Sequence, residues 1–155
     1  MPFKDLQPRV TAILNNEEET VAQRLTQVCE VLQHTIGYYD WVGFYFANHE
    51  ARTLHLKAFA GAPTDHTVIP FGKGICGQVA LSNKNFVVQD VTEQDNYISC
   101  GWEVKSEIVV PIFKNNENIG QIDIDSHSKS PFSKEDEKLL EYTCEEVASL
   151  DLKFR

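Results

Sequence analysis

From Ser106 to Ser126 the chain reads SEIVVPIFKNNENIGQIDIDS, two runs of alternating character separated by Asn115-Asn116-Glu117. Asx-rich turns between β-rich runs predict a hairpin. With those three residues as the loop, Val109 faces Asp123, Glu107 faces Asp125 and Ile108 faces Ile124. One face then carries Ile108, Val110, Ile112, Ile122 and Ile124, and the other gathers Glu107, Asp123 and Asp125. A slip of one residue would mix carboxylates into the apolar face, so the clean register is favoured. Aspartate is depleted in strand interiors. Three carboxylates on one face read either as a solvated outer surface or as a site that holds a cation or a proton.

The other elements follow from the same patterning. Val21, Leu25, Val28, Leu32 and Ile36 recur at helical spacing and predict a helix over Asn16–Ile36, with Asn16 as its cap and Gly37 as its stop. Tyr38 to Phe46 (YYDWVGFYF) predicts a strand. On one of its faces Trp41 and Tyr45 flank Gly43, leaving a dent between two aromatic walls that suits a small apolar group. Thr53–Ala60 is the returning strand, and Phe86–Asp90 is another. Between them, Gly72, Gly74 and Gly77 match a G-x-G-x-x-G spacing. Only Gln78–Ser82 has room for helix before Asn83, too short for a dinucleotide-binding crossover. The glycines instead let backbone amides approach an anion at a short helix start. Val91–Lys105 has no steady period and reads as a long loop, a kind of segment that tends to be functional. It carries Cys100. Ser133 to about Phe154 predicts a closing helix with a Ser133/Asp136 capping box.

This order predicts an α+β domain: an antiparallel sheet with the terminal helices on one face and loops over the other. The loop-covered face would hold Trp41, Tyr45, Glu107, Asp123, Asp125 and Cys100 in one cleft. The 155 residues suit one domain, 1–155, with 1–15 as an N-terminal extension.

Composition narrows the partners. A net charge of −9 argues against nucleic acid and against an anionic membrane surface. No apolar run is long enough to span a bilayer. Met1-Pro2-Phe3-Lys4-Asp5 leads into polar sequence, so a cytoplasmic setting and resting thiols are expected. Cys29, Cys76, Cys100 and Cys144 form no CxxC pair and no zinc-ribbon pattern, so no metal or cofactor is expected. Cys29 and Cys144 lie beside helical apolar stripes and read as core packing. Cys100, in the loop that feeds into Glu107, is the candidate reactive thiol.

WVGFY at Trp41–Tyr45, IPFGKGICG at Ile69–Gly77, the run from Cys100 through Glu107 to Pro111, and IGQIDIDS at Ile119–Ser126 resemble the free methionine-(R)-sulfoxide reductases. These are single GAF domains that reduce the free amino acid, and the resemblance spans roughly Ile36 to Leu150. It implies a GAF-like fold and oxidoreductase activity. It implies Cys100 as the nucleophile and Cys76 as a second redox cysteine. Glu107, Asp123 and Asp125 would hold the substrate ammonium and manage the sulfoxide proton, and Trp41 and Tyr45 would form the pocket for the S-methyl end. Crowded carboxyls keep one member protonated, which sulfoxide attack requires. An ionised member binds an ammonium.

Two departures stand out. The family has a resolving cysteine where this chain has His66, and its His-Ile-Ala-Cys-Asp is Tyr97-Ile98-Ser99-Cys100-Gly101 here. Turnover through thioredoxin then requires Cys76 as resolver, or a small thiol that attacks Cys100 directly. His66 could instead assist a thiolate or join Cys76 and Cys100 around a metal, for which no ligand spacing argues. The other histidines, His34, His49, His55 and His127, read as surface residues. The competing expectation is a GAF ligand-binding or sensing module without efficient turnover. The oligomeric state is left open, a homodimer among the options.

Overall fold

The computed structural model describes residues 2–93 and 104–152. Their order is α1 (Pro2–Leu14), α2 (Val21–Thr35), β1 (Trp41–Asn48), β2 (Thr53–Ala60), β3 (Val68–Pro70), α3 (Gly74–Ser82), β4 (Phe86–Val88), a 3-10 turn (Val91–Glu93), β5 (Ser106–Lys114), β6 (Glu117–Ser126) and α4 (Lys134–Ala148). The strands form one antiparallel sheet in the order β3-β2-β1-β6-β5-β4. The domain is α+β, as its patterning predicts.

The β5–β6 hairpin has the expected register, with Glu107 opposite Asp125, Ile108 opposite Ile124 and Val109 opposite Asp123. Its turn differs. Lys114 pairs with Glu117, so the loop is Asn115-Asn116 alone, both residues at positive φ. Asparagine tolerates that left-handed conformation, and a two-residue turn of this hand matches the strand twist. A register shift between Ile112 and Phe113 absorbs the extra residue and returns the rest of the hairpin to the expected pairing.

Ile108, Val110, Ile112, Ile122 and Ile124 are all buried in a core shared with α1, α2 and α4. α2 contributes Leu25, Val28, Cys29 and Leu32. α4 contributes Leu139, Leu140, Cys144 and Val147. α4 begins at the expected Ser133/Asp136 capping box but ends at Ala148, short of the predicted Phe154. Asp136 also accepts hydrogen bonds from the hydroxyls of Tyr38 (2.8 Å) and Tyr39 (2.7 Å), tying the start of α4 to the entry of β1.

Two expectations near the N-terminus are corrected. α2 starts at Val21, not Asn16. Its cap is Thr20, whose hydroxyl accepts from the Gln23 amide while the Gln23 side chain accepts from the Thr20 amide. Asn16 folds into a turn, accepting from the Glu18 amide at 3.2 Å. Residues 2–14, expected within an extension, form helix α1. Leu6, Val10 and Leu14 recur every four residues and are all buried. Pro8 lies on the exposed side, where its missing N–H and bulk disturb the helix without opening the core.

Because α1 is a wall of the core, Leu6→Ala should lower the unfolding free energy by about 2–5 kcal/mol in a urea titration. A change of about 0.5 kcal/mol or less, the range of exposed positions, would return this segment to the status of an appendage.

Candidate active site

The sheet face opposite the helical core is a grid of three strands. β1 supplies Trp41, Gly43 and Tyr45; β6 supplies Asp125, Asp123 and Gln121; β5 supplies Glu107, Val109 and Pro111. Trp41, Asp125 and Glu107 form one row; Gly43, Asp123 and Val109 the next; Tyr45, Gln121 and Pro111 the third. Glu107, Asp123 and Asp125 are at most 5% exposed. The reading of this face as a solvated surface is therefore excluded.

α3 lies over the grid. It begins at Gly74, four residues earlier than its predicted helical stretch, so Cys76 sits in its first turn and not in a preceding loop. The glycines serve close packing. A Cβ at Gly77 would lie 2.6 Å from the Pro70 carbonyl, and Gly72 and Gly74 adopt positive φ. This places the buried Cys76 thiol 3.8 Å from Glu107 Oε2, to which it donates a hydrogen bond. One ligand-type atom each from Cys76, Glu107 and Asp123 lies within 4.8 Å of the others. Tyr45, His66, Ile69, Lys73 and Ile75 complete the wall of a small cavity around them, with a volume of about 10 Å³, enough for one water-sized occupant.

The electrostatics follow from burial. Burial pushes the Asp123 carboxyl above the ordinary carboxylate range, while hydrogen bonding with Glu107 and with Cys76 and the proximity of His66 act in the opposite sense. The Cys76 thiol is held well above its usual range by burial first, then by Asp123, Glu107 and Asp125. Cys76 is thus a thiol at rest. Burial likewise raises the thiols of Cys29 and Cys144, both in the core as expected.

The aromatic pair departs from its expected form. The Trp41 indole folds over Gly43, and a Cβ on that glycine would overlap the ring. The anticipated dent between Trp41 and Tyr45 is therefore filled by Trp41 itself. The indole stacks on Phe59 with centroids 5.9 Å apart, and its Nε1 donates to the Ala62 carbonyl at 3.0 Å. The Tyr45 hydroxyl donates to the His66 carbonyl at 2.7 Å. The two aromatics thus pin the 61–66 loop to the sheet, and Tyr45, but not Trp41, lines the cavity.

Cys100, the candidate nucleophile, lies outside the described residues. The structure brings together Cys76, Glu107 and Asp123, with Tyr45 on the same wall and Asp125 in the adjacent row. His66 reaches the cavity, whereas His34, His49 and His127 are exposed and His55 is half-buried. Gln121 was not singled out from sequence. It is fully buried, and neither side-chain polar atom has a hydrogen-bond partner among the described residues. Its position two residues before Asp123 puts it on the same face, a signal available in the strand period.

Residues 18–150 match the GAF domain family, the class that the sheet and its covering helix also define. A free methionine-R-sulfoxide reductase from Escherichia coli K12 is 32% identical over 136 residues, covering 88% of this chain and 80% of the relative. The free methionine-R-sulfoxide reductase of Neisseria meningitidis, solved in complex with its substrate, superposes with a TM-score of 0.87 at 31% identity, covering 94% of this chain and 86% of that one. The type II free methionine-R-sulfoxide reductase of Thermoplasma acidophilum gives a TM-score of 0.77 at 36% identity and 92% coverage of both chains. The chain belongs to the free methionine-(R)-sulfoxide reductase family of GAF domains.

The raised Asp123 has a consequence for stability. The folded state holds this proton more tightly than the unfolded chain does. The associated stability is complete below the ordinary carboxylate range and is lost as pH rises through the raised value. Asp123→Asn keeps the shape and cannot ionise, so it should flatten that fall in a profile of Tm against pH. An unchanged slope would assign the titration to another group.

Proposed function

We propose that this chain reduces free methionine-(R)-sulfoxide to methionine. The observation that carries the reading is the buried set of carboxylates on the sheet floor, with Asp123 held toward its protonated form beside the Cys76 thiol. A sulfoxide sulfur accepts a thiolate when its oxygen is protonated or strongly hydrogen-bonded. A carboxyl with a raised pKa supplies that proton near neutral pH. In this mechanism the Cys100 thiolate attacks sulfur and the sulfoxide oxygen passes to the Cys100 sulfur. Methionine leaves as the sulfide, and Cys100 becomes a sulfenic acid. Glu107 and Asp125 hold the α-ammonium, which a methionine sulfoxide within a polypeptide lacks. Tyr45 faces the S-methyl end, with the Trp41 ring behind it.

The environment of Cys76 bears on the second half of the cycle. Attack on a sulfenic acid needs a thiolate, and burial among carboxylates keeps Cys76 protonated. This favours an external thiol as the group that attacks Cys100, releasing water and forming a mixed disulfide that a second thiol reduces. Thioredoxin or a small cytoplasmic thiol fits that role. A second reading, a GAF module that binds an amino acid without turnover, draws on His66 in place of the family's resolving cysteine.

Racemic free methionine sulfoxide incubated with the protein and dithiothreitol should lose only its R epimer. Cys100→Ser should abolish that loss, and Cys29→Ser should leave it at the parent rate. Persistence of both epimers would favour the binding module, and equal rates in the two variants would remove Cys100 as nucleophile.

A further inference from the structure

The three elements that meet at the cavity bring together a donor set that no local spacing announces. Cys76 comes from α3, Glu107 from β5 and Asp123 from β6. All three side chains are at most 5% exposed. Thiolate with carboxylate and imidazole is a ligand set for a borderline divalent cation such as Zn²⁺.

The separations suit a single ion. Ligands at about 2.3 Å for sulfur and about 2.0–2.2 Å for oxygen, spread at a tetrahedral angle, lie roughly 3.6 Å apart. Cys76 Sγ and Glu107 Oε2 are already 3.8 Å apart. The ligand atoms of the triad lie within 4.8 Å of one another, so rotamer adjustments of about 1 Å close the set. Two further observations point to an occupant. Asp123 Oδ1 is buried on the cavity wall with no hydrogen-bond partner among the described residues. The cavity has a volume of about 10 Å³, room for one atom-sized guest. His66 lines the same cavity from the loop that Tyr45 anchors, outside the triad whose ligand atoms lie within 4.8 Å of one another, and is the nearest imidazole that could complete the set.

We propose that Cys76, Glu107, Asp123 and His66 form a binding site for one zinc-like divalent cation. Three ionised ligands carry −3, so a divalent ion leaves the bound site at −1 and replaces the protons it displaces. The ion fills the cavity that the reductase reading assigns to substrate. Metal and substrate then exclude one another, a consequence that rests on that reading while the binding itself does not.

The test uses the full chain and the metal alone. The reduced protein is titrated with Zn²⁺ against a chromophoric chelator, and with Co²⁺ to read its thiolate charge-transfer band. The expected result is one equivalent bound and a charge-transfer band in the parent protein. Cys76→Ser should lose the band and weaken Zn²⁺ binding at least about tenfold, or roughly 1.4 kcal/mol. His66→Ala should also weaken it severalfold, and Cys144→Ser should match the parent. Circular dichroism of each variant reports whether it is folded. Failure of the parent to compete with the chelator overturns the site, as does parent-like binding by folded Cys76→Ser or folded His66→Ala. None of these readouts requires turnover, so an inactive reductase would leave the result interpretable.

Discussion

The register of the β5–β6 hairpin is the constraint on which the rest of this structure depends. Its two faces have opposite characters. Ile108, Val110, Ile112, Ile122 and Ile124 pack under three helices, and Glu107, Asp123 and Asp125 are buried on the other side. Burying a carboxylate costs several kcal/mol when it is ionised and uncompensated. The carboxylates stay on their face because a shift of either strand by one residue would turn its isoleucine and valine side chains out of the helical core and drive its acids into it. The helix-side packing therefore holds the chemical groups in place, and α1 shares in that packing through Leu6, Val10 and Leu14.

A second layer turns this acidic floor into a cavity. α3 can approach because Gly77 has no Cβ to strike the Pro70 carbonyl. That approach brings the Cys76 thiol to Glu107. On the other side, Trp41 and Tyr45 bind the 61–66 loop through its carbonyls, and His66 comes with it. The side chains that meet around the cavity are thus separated in sequence and joined by packing, so each depends on an element whose own reason for its position lies elsewhere.

Legibility in the sequence tracks the reach of local rules. The hairpin register, the two faces of the sheet and the Ser133/Asp136 cap follow from strand period and capping chemistry, and all could be read before the fold was known. Helix α1 could not, because Pro2 and Pro8 in a short segment hide an i, i+4, i+8 stripe whose partners lie on α2 and α4. The start of α3 was missed for a related reason. Glycine disfavours helix, yet Gly74 opens this one at positive φ and Gly77 sits where a Cβ would strike the Pro70 carbonyl. The dent expected beside Trp41 failed because alternation gives the face of a residue and not its rotamer. A glycine between two aromatics is also space into which one of them can fold. Among the described residues, the meeting of Cys76 with Glu107 and Asp123 is a three-element coincidence that no spacing rule encodes.

The same acidic floor links both proposals for the site. Negative groups that hold the Cys76 thiol protonated make any further anion there unfavourable, whether a thiolate, a sulfenate or a bound acid. For the same reason they make a cation welcome. The α-ammonium of a free amino acid and a divalent metal ion are two such cations, differing in size and in what they ask of sulfur. The ammonium leaves the Cys76 proton in place, whereas the metal displaces it. Cys76 is then the group that tells the two guests apart. Its burial beside two carboxylates is a poor arrangement for a resolving nucleophile, while the same carboxylates draw in the cation that would displace its proton.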